Sequence, residues 1–251
     1  MLTIGCLLLG YWVERAQRRK ALARWVEERG GYVVYAFESH KDAQRFEPRI
    51  SNSHYFSSVN FVGLQMTDTK DISPIARLNE IESVCLTGTE VTDLGPLAKM
   101  TNLSRLLLAK TDVRDLTPLA GLTNLRTLVL CDTDVTDLRP LTGLKNLEFL
   151  AVDHTGVRDL SPVKGLTKLR VFSLSNTKVD DVSPLEGLSD LETLILSNTD
   201  VIEIAPLLRL KKLRDLSLHD LEITTTQIDA LQAALPTCSV ECGQEHRDSG
   251  R

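Results

Sequence analysis

Tryptophan and tyrosine are missing from most of this 251-residue chain: both Trp and all four Tyr lie before Ser57. The composition therefore changes there, and the chain is not one uniform domain. A basic surplus is missing too. Lys and Arg number 29 against 34 Asp and Glu, a formal net charge of −5, which excludes a general basic surface for nucleic acid. Zinc-ligand spacing is absent: Cys6, Cys85, Cys131, Cys238 and Cys242 are odd in number and read as free thiols. A Cys238–Cys242 disulfide is disfavoured, because residues four apart in a strand lie too far apart to bridge. No Gly-rich phosphate loop, paired-carboxylate cleft or metal motif occurs, so no cofactor is expected. The apolar run Leu2–Val13, at twelve residues, is shorter than the roughly 20 that span a bilayer.

What is present is a repeat. Thr123 to Leu144, TNLRTLVLCDTDVTDLRPLTGL, is 22 residues long, and near-copies start at Ser57, Asn79, Thr101, Lys145, Thr167 and Ser189. With Thr123 as position 1, apolar residues hold positions 3, 6, 8, 13, 16, 19 and 22. Seven of the nine prolines stand at position 18. Positions 6 and 8 are two apart and face the same way in a strand, inward, so positions 5, 7 and 9 face outward. Pro fixes its φ and loses nothing at a first helical position. Ser73, Thr117, Ser161 and Ser183 precede it in four blocks and suit an N-cap. Each block thus reads as strand, turn, then a short helical or 3₁₀ return. One block cannot bury its own leucines; stacking buries them between neighbours. Thr67, Thr89, Thr111, Thr133, Thr155, Thr177 and Thr199 hold position 11 and read as a structural ladder, each hydroxyl satisfying backbone where the strand turns away.

A period of 22 with L-x-x-L-x-L marks leucine-rich repeats. The blocks resemble the 22-residue repeats of bacterial internalins and of the phosphatase-1 regulatory subunit of that class, with Thr at position 11 where those families usually carry Asn. The resemblance covers Ser57 to about Leu210. It implies an α/β repeat solenoid: a curved, right-handed coil with a parallel β-sheet on its concave face and short 3₁₀ or helical segments on its convex face. It transfers no partner-binding residue.

The chain divides accordingly. Residues 1–13 are the apolar N-terminal segment, 14–56 a helix–strand cap and loop, 57–210 seven repeats, 211–242 a closing cap, and 243–251 a frayed tail. Leu2, Ile4, Leu7, Leu8, Leu9 and Trp12 are the candidate membrane-anchor residues, followed by the basic Arg15, Arg18, Arg19, Lys20 and Arg24. Three readings stay open: an anchor, a helix lying on the membrane surface, and a soluble helix packing its apolar end on the solenoid. The first is favoured, and the expected location is at a membrane, otherwise cytoplasmic. The front section resembles bacterial membrane-anchored repeat proteins. Glu14–Glu28 has helix composition and Gly30-Gly31 ends it. Tyr32–Phe37 has strand composition, and Ser39–Tyr55 reads as a loop whose His40 and His54 lack a third metal ligand. Beyond the repeats, Lys211–Leu218 supplies an eighth strand and Ile223–Leu235 a closing helix capped by Thr225 or Thr226, with Ile228, Leu231 and Leu235 on one face. Cys238 and Val240 fit a last edge strand.

Function is expected on the outward strand face. Arg105, Leu107, Thr127, Val129, Phe149, Ala151, Asp153, Val171 and Ile195 are the candidate partner-binding residues. Leu107, Val129, Phe149, Ala151, Val171 and Ile195 among them form an exposed apolar patch of the kind that marks protein contacts. Catalysis is disfavoured. Cys131 and Asp153 come together across two strands, but His154 at position 10 points away. The expected molecule is a monomeric protein-binding module; the alternative is a scaffold acting through its front section or convex side.

Overall fold

The computed structural model describes residues 2–36 and 58–243. The expected loop with His40 and His54, and the tail beyond Gly243, lie outside the described residues. Helix α1 (Leu2–Glu27) is followed by β1 (Tyr32–Ala36) and β2 (Ser58–Gly63). Seven three-residue strands come next: β3 (Ser83–Cys85), β4 (Arg105–Leu107), β5 (Thr127–Val129), β6 (Phe149–Ala151), β7 (Val171–Ser173), β8 (Thr193–Ile195) and β9 (Asp215–Ser217). Helix α2 (Thr225–Ala234) and β10 (Ser239–Glu241) close the chain. The ten strands form one open sheet in sequence order, antiparallel at β1–β2 and parallel elsewhere. Each repeat pairs with the next in the frame of the sequence, Arg105 against Thr127 and Leu107 against Val129. This is the leucine-rich repeat solenoid the spacing predicts.

The periodic leucines are its core. In the block from Thr123, Leu125, Leu128, Leu130, Val135, Leu138, Leu141 and Leu144 are all at most 1% exposed. Burying each such side chain contributes about 1.5–3 kcal/mol. The position-11 threonines form the expected ladder: all seven hydroxyls donate to the carbonyl three residues back, at 2.6–2.8 Å. A second ladder runs beside it, with Asn102, Asn124 and Asn146 donating to the carbonyls of Asn79, Thr101 and Thr123.

The returns on the convex side are 3₁₀ segments, such as Thr117–Leu119 and Arg139–Gly143. Their capping departs from expectation. No Ser or Thr before the proline caps a segment with its side chain; at Thr117, Ser161 and Ser183 the N-cap is the preceding apolar residue and Pro sits just inside the start, whereas after Ser73 the N-cap is Pro74 itself. The orphan N–H at position 17 is taken by the acid two residues back. Asp71, Asp93, Asp115, Asp137, Asp159, Asp181 and Glu203 accept it at 2.7–2.9 Å. The reason is geometric: at Thr117, Ser161 and Ser183 the segment starts one residue earlier than the pair with Pro suggests, so the Ser or Thr lies inside it, and at Ser73 it starts one residue later, at Ile75.

Each strand is left through one residue with positive φ at position 10: Met66, Lys110, Asp132, His154, Asn176, Asn198 and Asp220, all between 53° and 60°, with Gly88 at 68° in the remaining block. Asn and Asp tolerate this region best. It turns each position-10 side chain away from its neighbour at position 9.

Both ends of the core are covered. Leu22 and Val26 of α1 join the first repeats' cluster, and Leu231 and Leu235 join the last. Gly30, at φ +75°, ends α1, and Gly31 N–H returns to the Val26 carbonyl. A Cβ on Gly31 would meet the Gly63 carbonyl at 2.4 Å, so only glycine lets β1 start there. At the other end the cap of α2 is Thr224, not Thr225 or Thr226. Its hydroxyl accepts from Gln227 N–H, while the Gln227 side chain accepts from Thr224 N–H. Among the described residues, buried charge is confined to the contact of the N-terminal cap with the first repeats. Arg19 is the one fully buried charged side chain among the described residues, and its Nε meets Glu80 Oε1 at 2.8 Å, with Arg15 of α1 beside it at 3.4 Å. Burial pushes the Glu80 carboxyl up, but its bonds to Arg19 and Arg15 outweigh this and hold it below the usual range.

The apolar segment and the basic helix are one continuous helix of 26 residues. Among the described residues no helix is long and apolar enough to cross a membrane.

Candidate binding face

The outward face is built from three rows. Position 5 carries Arg105, Thr127, Phe149 and Val171 along β4 to β7; position 7 carries Leu107, Val129 and Ala151, and Ile195 on β8. Position 9, just past each strand, carries Asp153. All nine predicted residues therefore lie along one surface.

Their exposure differs from the expectation. Arg105 is exposed, but Leu107, Thr127, Val129, Phe149, Asp153, Val171 and Ile195 are half-buried, and Ala151 is only 4% exposed. Parallel neighbours about 4.8 Å apart shield one another's flanks, so the face shows the tips of its side chains rather than a fully exposed patch. Large apolar side chains that are exposed among the described residues lie elsewhere: Tyr32 at 42%, Met66 at 75% and Ile202 at 66%. Tyr32 stacks on Phe61 at 5.3 Å and its hydroxyl accepts from Gln65, which extends the face onto the N-terminal cap.

At the centre sits Asp153. It accepts from Cys131 Sγ at 3.2 Å, Ser173 Oγ at 2.5 Å and Ser175 N–H at 2.8 Å. Three donors fix the carboxylate in one orientation. Burial, and then the neighbouring Asp153, push the Cys131 thiol up to about 12. The thiol is thus protonated at neutral pH, whereas a nucleophile needs the thiolate. His154, in its left-handed turn, faces Asp132 with Nδ1 3.9 Å from Oδ1 and does not reach Cys131. No group of three metal-ligating side chains comes together among the described residues. The Cys131–Asp153 approach is the one the repeat frame predicts; the contacts of Asp153 with Ser173 and Ser175 are additional to it. Their signal is present in the sequence as spacings of 20 and 22 residues from Ser173 and Ser175, one repeat away.

Comparison with solved structures places this geometry. Internalin C2 of Listeria monocytogenes strain 4b F2365 is 32% identical over 74% of this chain and 81% of its own, with a TM-score of 0.71. The chain belongs to the internalin-like leucine-rich repeat family. Internalin F of the same strain is 26% identical, over 72% of this chain and 62% of its own, at a TM-score of 0.61. A leucine-rich repeat protein of Leptospira interrogans shares the fold at 22% identity and a TM-score of 0.59, over 69% of this chain and 52% of its own. No protein-family model matches the sequence, and no curated protein matches it. Solenoids of this internalin-like type carry extended concave surfaces suited to protein binding.

Proposed function

We propose that this internalin-like solenoid is a non-catalytic module that binds a protein partner on its concave face and is held at a membrane through α1. The observation that supports it best is the row of apolar side chains around one fixed carboxylate on the face. Val129, Phe149, Val171 and Ile195 offer apolar tips, with Arg105 and the clasped Asp153 as polar markers. Apolar contact supplies affinity, and a fixed carboxylate within it supplies register. The apolar Leu2–Val13, followed by basic residues, supports the tether.

The test is a pair of charge insertions, Val129→Glu and Phe149→Glu, on the full chain. Loss of partner capture with an unchanged melting temperature supports the concave reading; unchanged capture contradicts it. The second reading, contact through the front section, is favoured by the exposed Tyr32. It predicts that Tyr32→Ser removes binding while Val129→Glu does not.

A further inference from the structure

Cationic side chains gather at the front end of a chain whose formal net charge is −5. Arg15, Arg18, Arg19 and Lys20 come from α1, and Arg77 from the first 3₁₀ segment, Ile75–Arg77. Between helix and segment runs a groove lined by Arg18, Ala21, Leu22, Trp25, Pro74 and Arg77. The same two arginines border an adjoining depression with Glu14, Arg15 and Glu80. The acids there are already engaged. Glu80 is held by Arg19 and Arg15, and Glu14 pairs with Arg18 at 2.5 Å across one helical turn in solvent. A pair of that kind is weak and gives way to a better anion. The exposed Arg77 guanidinium makes no hydrogen bond among the described residues; Asp71 lies within reach of its charge.

The helix relates this groove to the apolar segment. At 1.5 Å per residue, Leu2–Val13 covers about 18 Å, close to one leaflet of a hydrocarbon core about 30 Å thick. Arg18 follows about 7.5 Å further along the same axis, matching a headgroup layer of about 6 Å. α1 runs unbroken from Leu2 to Glu27, and Leu22 and Val26 pack it on the solenoid, so the apolar segment leads along one helix into the groove.

We infer that the groove is a headgroup site: the phosphate of an anionic phospholipid sits between Arg18 and Arg77 while the first half of α1 enters the same leaflet. Guanidinium forks match phosphate oxygens in charge and in geometry. The inference rests on the proposed membrane tether and adds a lipid preference to it. Trp25 forms the apolar wall, with Arg29 packed over its ring at 4.5 Å.

The experiment is co-sedimentation of the full chain with phosphatidylcholine vesicles, with and without phosphatidylglycerol. Stronger binding to the anionic vesicles is expected. Arg77→Gln lowers that binding by about fivefold, and Arg18→Gln with Arg77→Gln by about twenty-five-fold, at roughly one basic contact each. Binding to phosphatidylcholine alone and the melting temperature stay as they are. Lys99→Gln, at the equivalent position of the next repeat, changes neither. Equal binding of the unaltered chain to both vesicles overturns the headgroup site and leaves the tether standing. Binding to neither overturns the tether, and the site with it. A Lys99→Gln loss as large as that of Arg77→Gln reduces the effect to general charge and also overturns the site.

Discussion

The two faces of each strand obey different rules. Facing in, Leu106, Leu128, Leu150, Phe172, Leu194 and Leu216 occupy one row, all at most 1% exposed. Facing out one residue later on the same strands are Leu107, Val129, Ala151, Ser173, Ile195 and Ser217. The inward row must fill space at crystal-like density, which leaves almost one solution. The outward row must only suit a sheet and whatever meets it, so it varies. The fold is written in what repeats, and the partner in what does not.

The largest break of that comparison is Leu128→Ala. Removing a fully buried leucine should cost about 2–5 kcal/mol in urea unfolding; a cost below about 1 kcal/mol would mean the inward row tolerates variation as the outward row does. Next comes the cap, where the buried charge lies. Glu80→Gln leaves Arg19 buried without its carboxylate and should cost about 3 kcal/mol at neutral pH. The folded-state carboxyl is held below its ordinary value. Its contribution is therefore present above the unfolded-state value and lost as pH falls through the folded one. The gap between wild type and Glu80→Gln should close on acidification below about pH 4, in denaturation curves taken across pH. A gap independent of pH removes the ion pair from the account.

A smaller effect sits on the ladder. Thr133→Val keeps shape but strips the hydroxyl that meets the Leu130 carbonyl at 2.7 Å, and should cost about 1–2 kcal/mol by the same unfolding measurement. The smallest belongs to the outward face: Val129→Thr should shift stability by no more than about 0.5 kcal/mol while weakening partner capture. Should it destabilise as much as Thr133→Val, the face is a packing surface and the comparison fails.

How much of this was legible follows from which features are periodic. Leu128, Thr133 and Pro140 recur at fixed offsets, so strand, ladder and return could be read directly. The Asp137 cap recurs just as often but was masked by the Ser and Thr beside the prolines, a more familiar capping signal. The left-handed turns recur in space but not in residue type, as Met66, Lys110 and His154 show, so no single letter announces them. The Arg19–Glu80 pair joins residues 61 apart between cap and repeat and has no periodic trace. The half-burial of Val129 and Phe149 comes from neighbours packed alongside in the sheet, which alternation along one strand does not encode.

The central claim is that the concave face meets a protein. It is tested most directly by placing a photo-crosslinking residue at Val129 and, in a second protein, at the exposed Lys164 of the convex side, then irradiating each in host lysate. The account predicts one discrete crosslinked protein from Val129, absent from Lys164 and abolished by Phe149→Glu in the same chain. Capture from Lys164 alone, or nothing above background from either, contradicts it.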